Sequence, residues 1–309
     1  MRFRPLFERL TVPIVYASNQ SEPSDAERRS SVFDGDFFVY GPRPTTMALR
    51  DFARDSIEQM LGAEPSWAQQ RMTETEFSVL FKVALRNFSR RQAVMSLMAS
   101  IVSDFGCDPS TTYMSCPELT AITGQGFLAQ GIGGPRHPHR DTWYAASPSQ
   151  LHWWISLYDH DGTSSVAFHP RYWDWPVANS SVDFDYQKWQ DGEFTPEAGP
   201  GTGLSHPRPL EAVVLSPEIR IASPAGGLII FSSAQLYSIV PNDSLHTYFA
   251  THFQTVNERD LLEGAGALNL DAEPHGSSLS SFLRCDDLSP ISPEIIERAA
   301  LQGARPSPE

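Results

Sequence analysis

His139-Arg140-Asp141-Thr142-Trp143-Tyr144, followed by Gln150-Leu151-His152-Trp153-Trp154-Ile155, is the stretch that decides how the chain folds. Side chains on an extended strand alternate between faces, so His139 and Asp141 share one face and Arg140 takes the other. The same alternation groups His152, Trp154 and Ser156, opposed by Leu151, Trp153 and Ile155. An imidazole and a carboxylate two residues apart offer two of the three ligands of a facial triad for Fe(II). Alone the pair is a weak signal. With nine histidines in the chain, roughly half an accidental H-x-D is expected by composition.

The surrounding texture is informative. Short apolar or alternating runs at residues 119–128, 150–158, 210–215, 219–222, 227–231 and 248–256 are punctuated by Gly, Pro, Asn and Asp. They predict an antiparallel sandwich or barrel. Upstream, Met47, Leu49, Phe52, Ile57, Met60 and Leu61 recur with helical spacing. Thr73-x-x-Glu76 is a capping box ahead of Phe77, Leu80, Phe81, Leu85 and Phe88, and the period resumes at Val94, Met95, Met98, Ile101 and Val102. One long helix or two joined near residues 89–92 would satisfy it. Residues 18–44 read as surface loop with one strand at Phe37–Tyr40, and 293–300 as a short helix. The long stretch 159–209 carries eight scattered aromatics, among them Phe168, Tyr172, Trp173, Trp175, Phe184, Tyr186 and Trp189, which predicts a packed lid. The expected organisation is a single domain over 1–309. It has a helical layer at 45–102, a β core at 110–256 with the 159–209 insertion, and an extension at 257–309.

Composition narrows the function classes. The chain has 309 residues, 40% of them hydrophobic and 19% charged, and a net charge of −14. That argues against nucleic acid and anionic membranes as partners. Three cysteines, Cys107, Cys116 and Cys285, lack C-x-x-C spacing, so neither a disulfide framework nor a zinc ribbon is indicated. No apolar run reaches the length of a membrane span, about 18 residues, and the charged N-terminus is unlike a secretory signal. A soluble, cytoplasmic protein acting on a small molecule is expected, its oligomeric state left open. Gly124-Gln125-Gly126 lacks the flanking βαβ unit and acidic residue of a dinucleotide site and reads as a turn.

The two opening blocks, with Phe168-His169-Pro170-Arg171-Tyr172, Pro176-Val177-Ala178-Asn179-Ser180 and the run 231–242 ending in Pro241-Asn242, resemble the bacterial phytanoyl-CoA dioxygenase-like Fe(II)/2-oxoglutarate oxygenases. The resemblance covers about residues 110–256. It implies a double-stranded β-helix, the cupin-like jelly roll, mainly β with helices on one sheet, and tailoring chemistry in secondary metabolism. It also marks departures. The position of the family's second metal histidine, five residues before Asn242, is Tyr237. The position of its 2-oxoglutarate-binding arginine, eleven residues further on, is Tyr248. A nearby arginine corresponds to His246, and an asparagine beside the co-substrate to His152. A phenol cannot replace the donor fork of a guanidinium, so ordinary 2-oxoglutarate use is not expected.

Alternation on the last strand places His246, Tyr248, His252 and Gln254 together. The predicted catalytic set is therefore His139, Asp141, His152, Tyr237 and Tyr248, with Trp143, Tyr144, Trp154, His252 and Arg136 around the substrate. His137, His160, His169, His206 and His275 are expected in loops or at the surface. Three functions are compatible. The first is an iron enzyme with His139, Asp141 and Tyr237, or a relocated His152 or His252, as ligands. The second is a metal-independent acid/base enzyme, an isomerase, cyclase or lyase, in the same cavity. The third is a non-catalytic small-molecule receptor. The retained His139–Asp141 pair favours the first.

Overall fold

The computed structural model describes residues 15–17, 22–128, 137–159, 166–192 and 206–303. A short α1 (Asp25–Phe33) precedes three longer helices, α2 (Pro44–Leu61), α3 (Glu74–Ser89) and α4 (Gln92–Asp104). The predicted capping box opens α3: the Glu76 amide donates to Thr73 Oγ1 at 3.3 Å and the Thr73 amide to Glu76 Oε2 at 2.8 Å. The break between α3 and α4 settles the 77–102 region as two helices. Helix α1 corrects the loop reading of 18–44. Its polar sequence buries only Arg28 and Val32, and its start signal is a second capping box, Ser24 with Glu27.

The strands are β1 (Val15–Ala17), β2 (Phe37–Tyr40), β3 (Thr112–Met114), β4 (Glu118–Ile122), β5 (Leu151–Ser156), β6 (Val166–Phe168), β7 (Ile219–Arg220), β8 (Leu228–Ser232), β9 (Tyr237–Ile239), β10 (Tyr248–Asn257) and β11 (Leu283–Arg284). Eight form one sheet in the order β1-β2-β8-β5-β10-β3-β11, with β4 also paired to β10; three form a second, β7-β6-β9. The β1–β2 pair is parallel, and the other pairs are antiparallel. A lone bridge between His139 and Tyr237 extends the smaller sheet. The strand expected at 210–215 does not form, and Leu210, Val214 and Leu215 are exposed. The Gly124-Gln125-Gly126 turn has a packing reason: a Cβ on Gly124 would lie 1.9 Å from the Ser244 carbonyl oxygen. Three shorter helices, α5 (Tyr186–Gln190), α6 (Glu258–Glu263) and α7 (Pro293–Gly303), complete the described chain. None of the described helices is long and apolar enough to cross a membrane.

Strands β5, β8 and β10 separate two apolar environments. On one face Trp153, Ile155, Ile230, Phe249 and Phe253 join Ile57 of α2, Phe81 of α3 and Met98 of α4 in one cluster. On the other, Trp154, Phe231 and Tyr248 meet Val166, Phe168 and Tyr237 of the smaller sheet. Period-two alternation thus turns one row of each strand to the helices and the next row into the space between the sheets. The register sets Gln254 opposite His152, His252 opposite Trp154, and Glu118 of β4 opposite His252.

Phe81 is fully buried in the helix–sheet core, whereas Val79 on the same helix is 56% exposed. Phe81→Ala is expected to lower unfolding stability by about 3–5 kcal/mol, and Val79→Ala to change it by less than about 0.5 kcal/mol. Urea titrations of both variants check this contrast.

Candidate active site

Asp141 is the hub of the space between the sheets. Its Oδ2 accepts from His152 Nδ1 at 2.7 Å and from Gln254 Nε2 at 2.8 Å, and its Oδ1 accepts from the Tyr237 hydroxyl at 2.7 Å. One carboxylate thereby ties together β5, β10 and β9. Burial works to raise its pKa. The charge and hydrogen bond of His152, then His139 and the Tyr237 hydroxyl, overcome this and hold it at about 2. Asp141 is therefore ionised at neutral pH, and an ionised carboxylate only accepts hydrogen bonds. The network accordingly assigns a proton to Nδ1 of His152 and makes no use of Nε2. That Nε2 is buried and has no hydrogen-bond partner among the described residues.

His152 is held by stacking as well. Its ring lies 4.5 Å from Phe231 at 14° and 5.0 Å from His252 at 26°, and His252 in turn stacks on Trp154 at 5.2 Å. His252 Nε2 is 3.0 Å from Thr120 Oγ1. Burial, then His152, push its pKa down to about 3. His139 pairs through its backbone with Tyr237, the two rings 4.3 Å apart. Its Nδ1 is 2.9 Å from the His137 carbonyl, which makes that nitrogen the donor and leaves Nε2 as the acceptor. Burial lowers its pKa to about 4. Tyr144 packs edge-on against His139 and Phe184, and near His206. Burial, then Asp141, raise the Tyr144 and Tyr237 phenols well above 10, so both stay protonated.

The predicted residues divide into those that meet and those that do not. His139, Asp141, His152, Tyr237, Tyr144, Trp154 and His252 converge, although not on the strand geometry expected. Asp141 opens a one-turn 3-10 helix, Asp141–Tyr144, and His139 forms only a lone bridge. Tyr248 faces the same intersheet space but lies further along β10, where its hydroxyl donates to Ser156 Oγ at 2.9 Å. Burial pushes its pKa to about 12. Trp143 turns away: fully buried, it donates its indole N–H to Asp271 Oδ1 at 2.7 Å. Arg140 also points away, as alternation predicts, and donates to Asp271 Oδ2 at 3.1 Å. His246 precedes β10 and stacks on Trp67 at the surface. His169, expected in a loop or at the surface, is buried with its Nε2 2.9 Å from Ser238 Oγ. His137 and His206 are half-buried beside His139 and Tyr144, and His275 is exposed. Arg136 and His160 lie outside the described residues.

Two further residues belong to the site. Gln254 grips Asp141 and accepts from Gln150 Nε2 at 3.1 Å. Its inward face was legible from strand alternation, but its partner was not. Glu118 faces inward beside His252. It keeps solvent-accessible surface while protein walls its carboxyl. That desolvation raises its pKa, which His152 lowers in part and Asp141 raises further.

The iron site that the resemblance implies takes Tyr237, or a relocated His152 or His252, as the third ligand beside His139 and Asp141. The residues do not fit that role. The Tyr237 hydroxyl is spent as a donor to Asp141, its phenol is raised well above 10, and three donors already occupy the carboxylate. Among the described residues no group of three His, Cys, Asp or Glu side chains is arranged to hold a metal ion.

No protein-family model and no curated protein matches the chain. Among solved structures, EvdO2 from Micromonospora carbonacea var. aurantiaca, complexed with 2-oxoglutarate, is 12% identical, with 76% of this chain and 92% of that one covered and a TM-score of 0.41. A nickel complex of the non-heme monooxygenase ThoJ is 10% identical over 89% of this chain and 95% of that one, TM-score 0.41. The epimerase SnoN, in complex with Fe3+, alpha ketoglutarate and nogalamycin RO, is 14% identical over 83% and 96%, TM-score 0.39. These structural neighbours are thus non-haem iron or 2-oxoglutarate enzymes. Overlap at such scores carries no argument about the chemistry of this chain.

The depressed pKa of Asp141 has a consequence for stability. A carboxyl held near 2 in the fold and near its ordinary 3.8 when unfolded contributes stability that is complete above about pH 4 and lost as pH falls through 2. The stability difference between the wild type and Asp141→Asn is expected to be flat from pH 5 upward and to shrink by about 2 kcal/mol between about pH 4 and pH 2. Denaturant unfolding across that range measures it.

Proposed function

We propose that this protein is an enzyme that performs metal-independent acid/base chemistry on a small molecule, an isomerisation, cyclisation or elimination, with His152 as general base. The observation that carries the reading is the His152–Asp141 pair at 2.7 Å with a buried, unbonded Nε2 on the far side of the ring. A buried nitrogen with an unused lone pair is costly unless something binds to it. A substrate proton is the partner that suits it. Asp141 fixes the tautomer and stabilises the imidazolium formed when Nε2 takes a proton. Tyr237 and Gln254 hold Asp141 in place. His139, neutral at pH 7, presents Nε2 as an acceptor for a substrate hydroxyl. The proton taken by His152 is returned to another substrate atom or to solvent, so the step needs no oxidant.

The architecture proposed with it is a double-stranded β-helix within a single domain. The order β8-β5-β10-β4 in the larger sheet and His139 bridge-β9-β6-β7 in the smaller is the alternating order expected of that fold. The departure of Tyr237 and Tyr248 from the iron and 2-oxoglutarate positions agrees with the redeployed chemistry.

A base of this kind can be probed without the natural substrate. 5-Nitrobenzisoxazole loses its C3 proton to a base, and its N–O bond then breaks to give a coloured cyanophenolate. Metal-stripped wild type is expected to accelerate this reaction over buffer, and His152→Ala to lose about a hundred-fold or more of that rate. No acceleration over buffer, or turnover of any substrate that requires Fe(II) and forms stoichiometric succinate, would overturn the reading.

A further inference from the structure

We propose that the substrate binds this recess as a cation, through a protonated amine paired with the carboxylate of Glu118. The inference rests on the reading of the recess as the active site and names the class of molecule it takes. Glu118 opens β4 on the inward face, directly opposite His252 in the β4–β10 register and one strand further from His152. It is the inward residue with the most access to solvent, whereas His139, Asp141, His152 and Tyr237 are buried. Glu118 is therefore the solvent side of this cluster, and the His152–Asp141 pair its buried side.

Charge defines what fits. Asp141 is ionised and already holds three donors. The carboxyl of Glu118 has no hydrogen-bond donor among the described residues; His152 favours its ionised form, Asp141 opposes it, and its own charge reaches the Tyr237 and Tyr186 phenols and raises both. His139 and His252 add no counter-charge, since burial keeps His139 near 4 and His252 near 3. Arg140, the cation nearest in sequence, is turned outward onto Asp271. The described site thus sets two carboxylates, Asp141 and Glu118, against the single imidazole of His152, which is committed to Asp141. The buried Nε2 of His152 is a second group in the same space that lacks a partner. An incoming ammonium gives Glu118 a charge-assisted hydrogen bond and places the rest of the molecule toward His152. Trp154, opposite His252 in the register and stacked on it, is an aromatic neighbour suited to a cation attached to a ring. A carboxylate or phosphate would meet repulsion from both acids. The net charge of −14 adds attraction for a cationic ligand at low ionic strength.

The test uses the full chain and three matched probes, phenethylamine, phenethyl alcohol and 3-phenylpropionate, titrated calorimetrically at pH 7. Phenethylamine is expected to bind about ten- to a hundred-fold more tightly than the alcohol, and the carboxylate not measurably. Glu118→Gln should abolish the preference for the amine and leave alcohol affinity within about two-fold, while Glu118→Asp and the surface control Glu58→Gln retain the preference. Thermal melts of each variant establish that it is folded. The inference is overturned if the carboxylate binds as well as the amine, if no probe binds, or if the preference survives Glu118→Gln. Base activity toward 5-nitrobenzisoxazole persisting alongside any of those results would remove the substrate class and leave the acid/base reading standing.

Discussion

The carboxylate of Asp141 is the constraint on which the site depends. It is buried, ionised, and compensated by the charge and hydrogen bond of His152 and by hydrogen bonds from Gln254 and Tyr237. Each donor comes from a different strand, so the position of the charge fixes the distance between the two sheets at that point. A buried ion without a full counter-charge is tolerated only when every lone pair has work to do. Here three donors supply that compensation. The same arrangement decides which nitrogen of His152 carries the proton, and so which nitrogen is left to react.

Around that hub the protein uses each central strand twice. The outward rows of β5 and β10 belong to the core beneath α2, α3 and α4, and the inward rows form the floor of the site. Rigid support follows directly. Trp153 packs against Phe253 and Phe105 on one side of the sheet, and His152, the next residue, stacks between Phe231 and His252 on the other. An imidazole held by two flat neighbours and one carboxylate has little freedom to leave its rotamer, which is the condition that the proposed proton transfer requires.

Much of this was legible before any coordinates. The capping box at Thr73 and the helical periods mark α3 and α4, and strand alternation puts His152 and His252 inside. The resemblance directs attention to Tyr237. What could not be read has long-range causes. Trp143 was expected at the substrate, but Asp271, 128 residues away, captures its indole. His169 sits beside a proline and reads as loop, yet Ser238 on a neighbouring strand buries it. Glu118 faces His252 only because of the β4–β10 register, which no local pattern encodes. Helix α1 was hidden by its polarity, and only its capping box announced it.

The central claim is that Asp141 sets His152 in the Nδ1–H tautomer with a free lone pair on Nε2. Long-range 1H–15N correlation spectra of histidine-labelled protein at pH 7 test it directly, with His152→Gln used to assign the resonance. The account predicts that Nδ1 of His152 resonates as a protonated, pyrrole-type nitrogen and Nε2 as an unprotonated one, and that Asp141→Asn removes this preference. A protonated Nε2 in the neutral ring of the wild type, or a tautomer unchanged in Asp141→Asn, would contradict it.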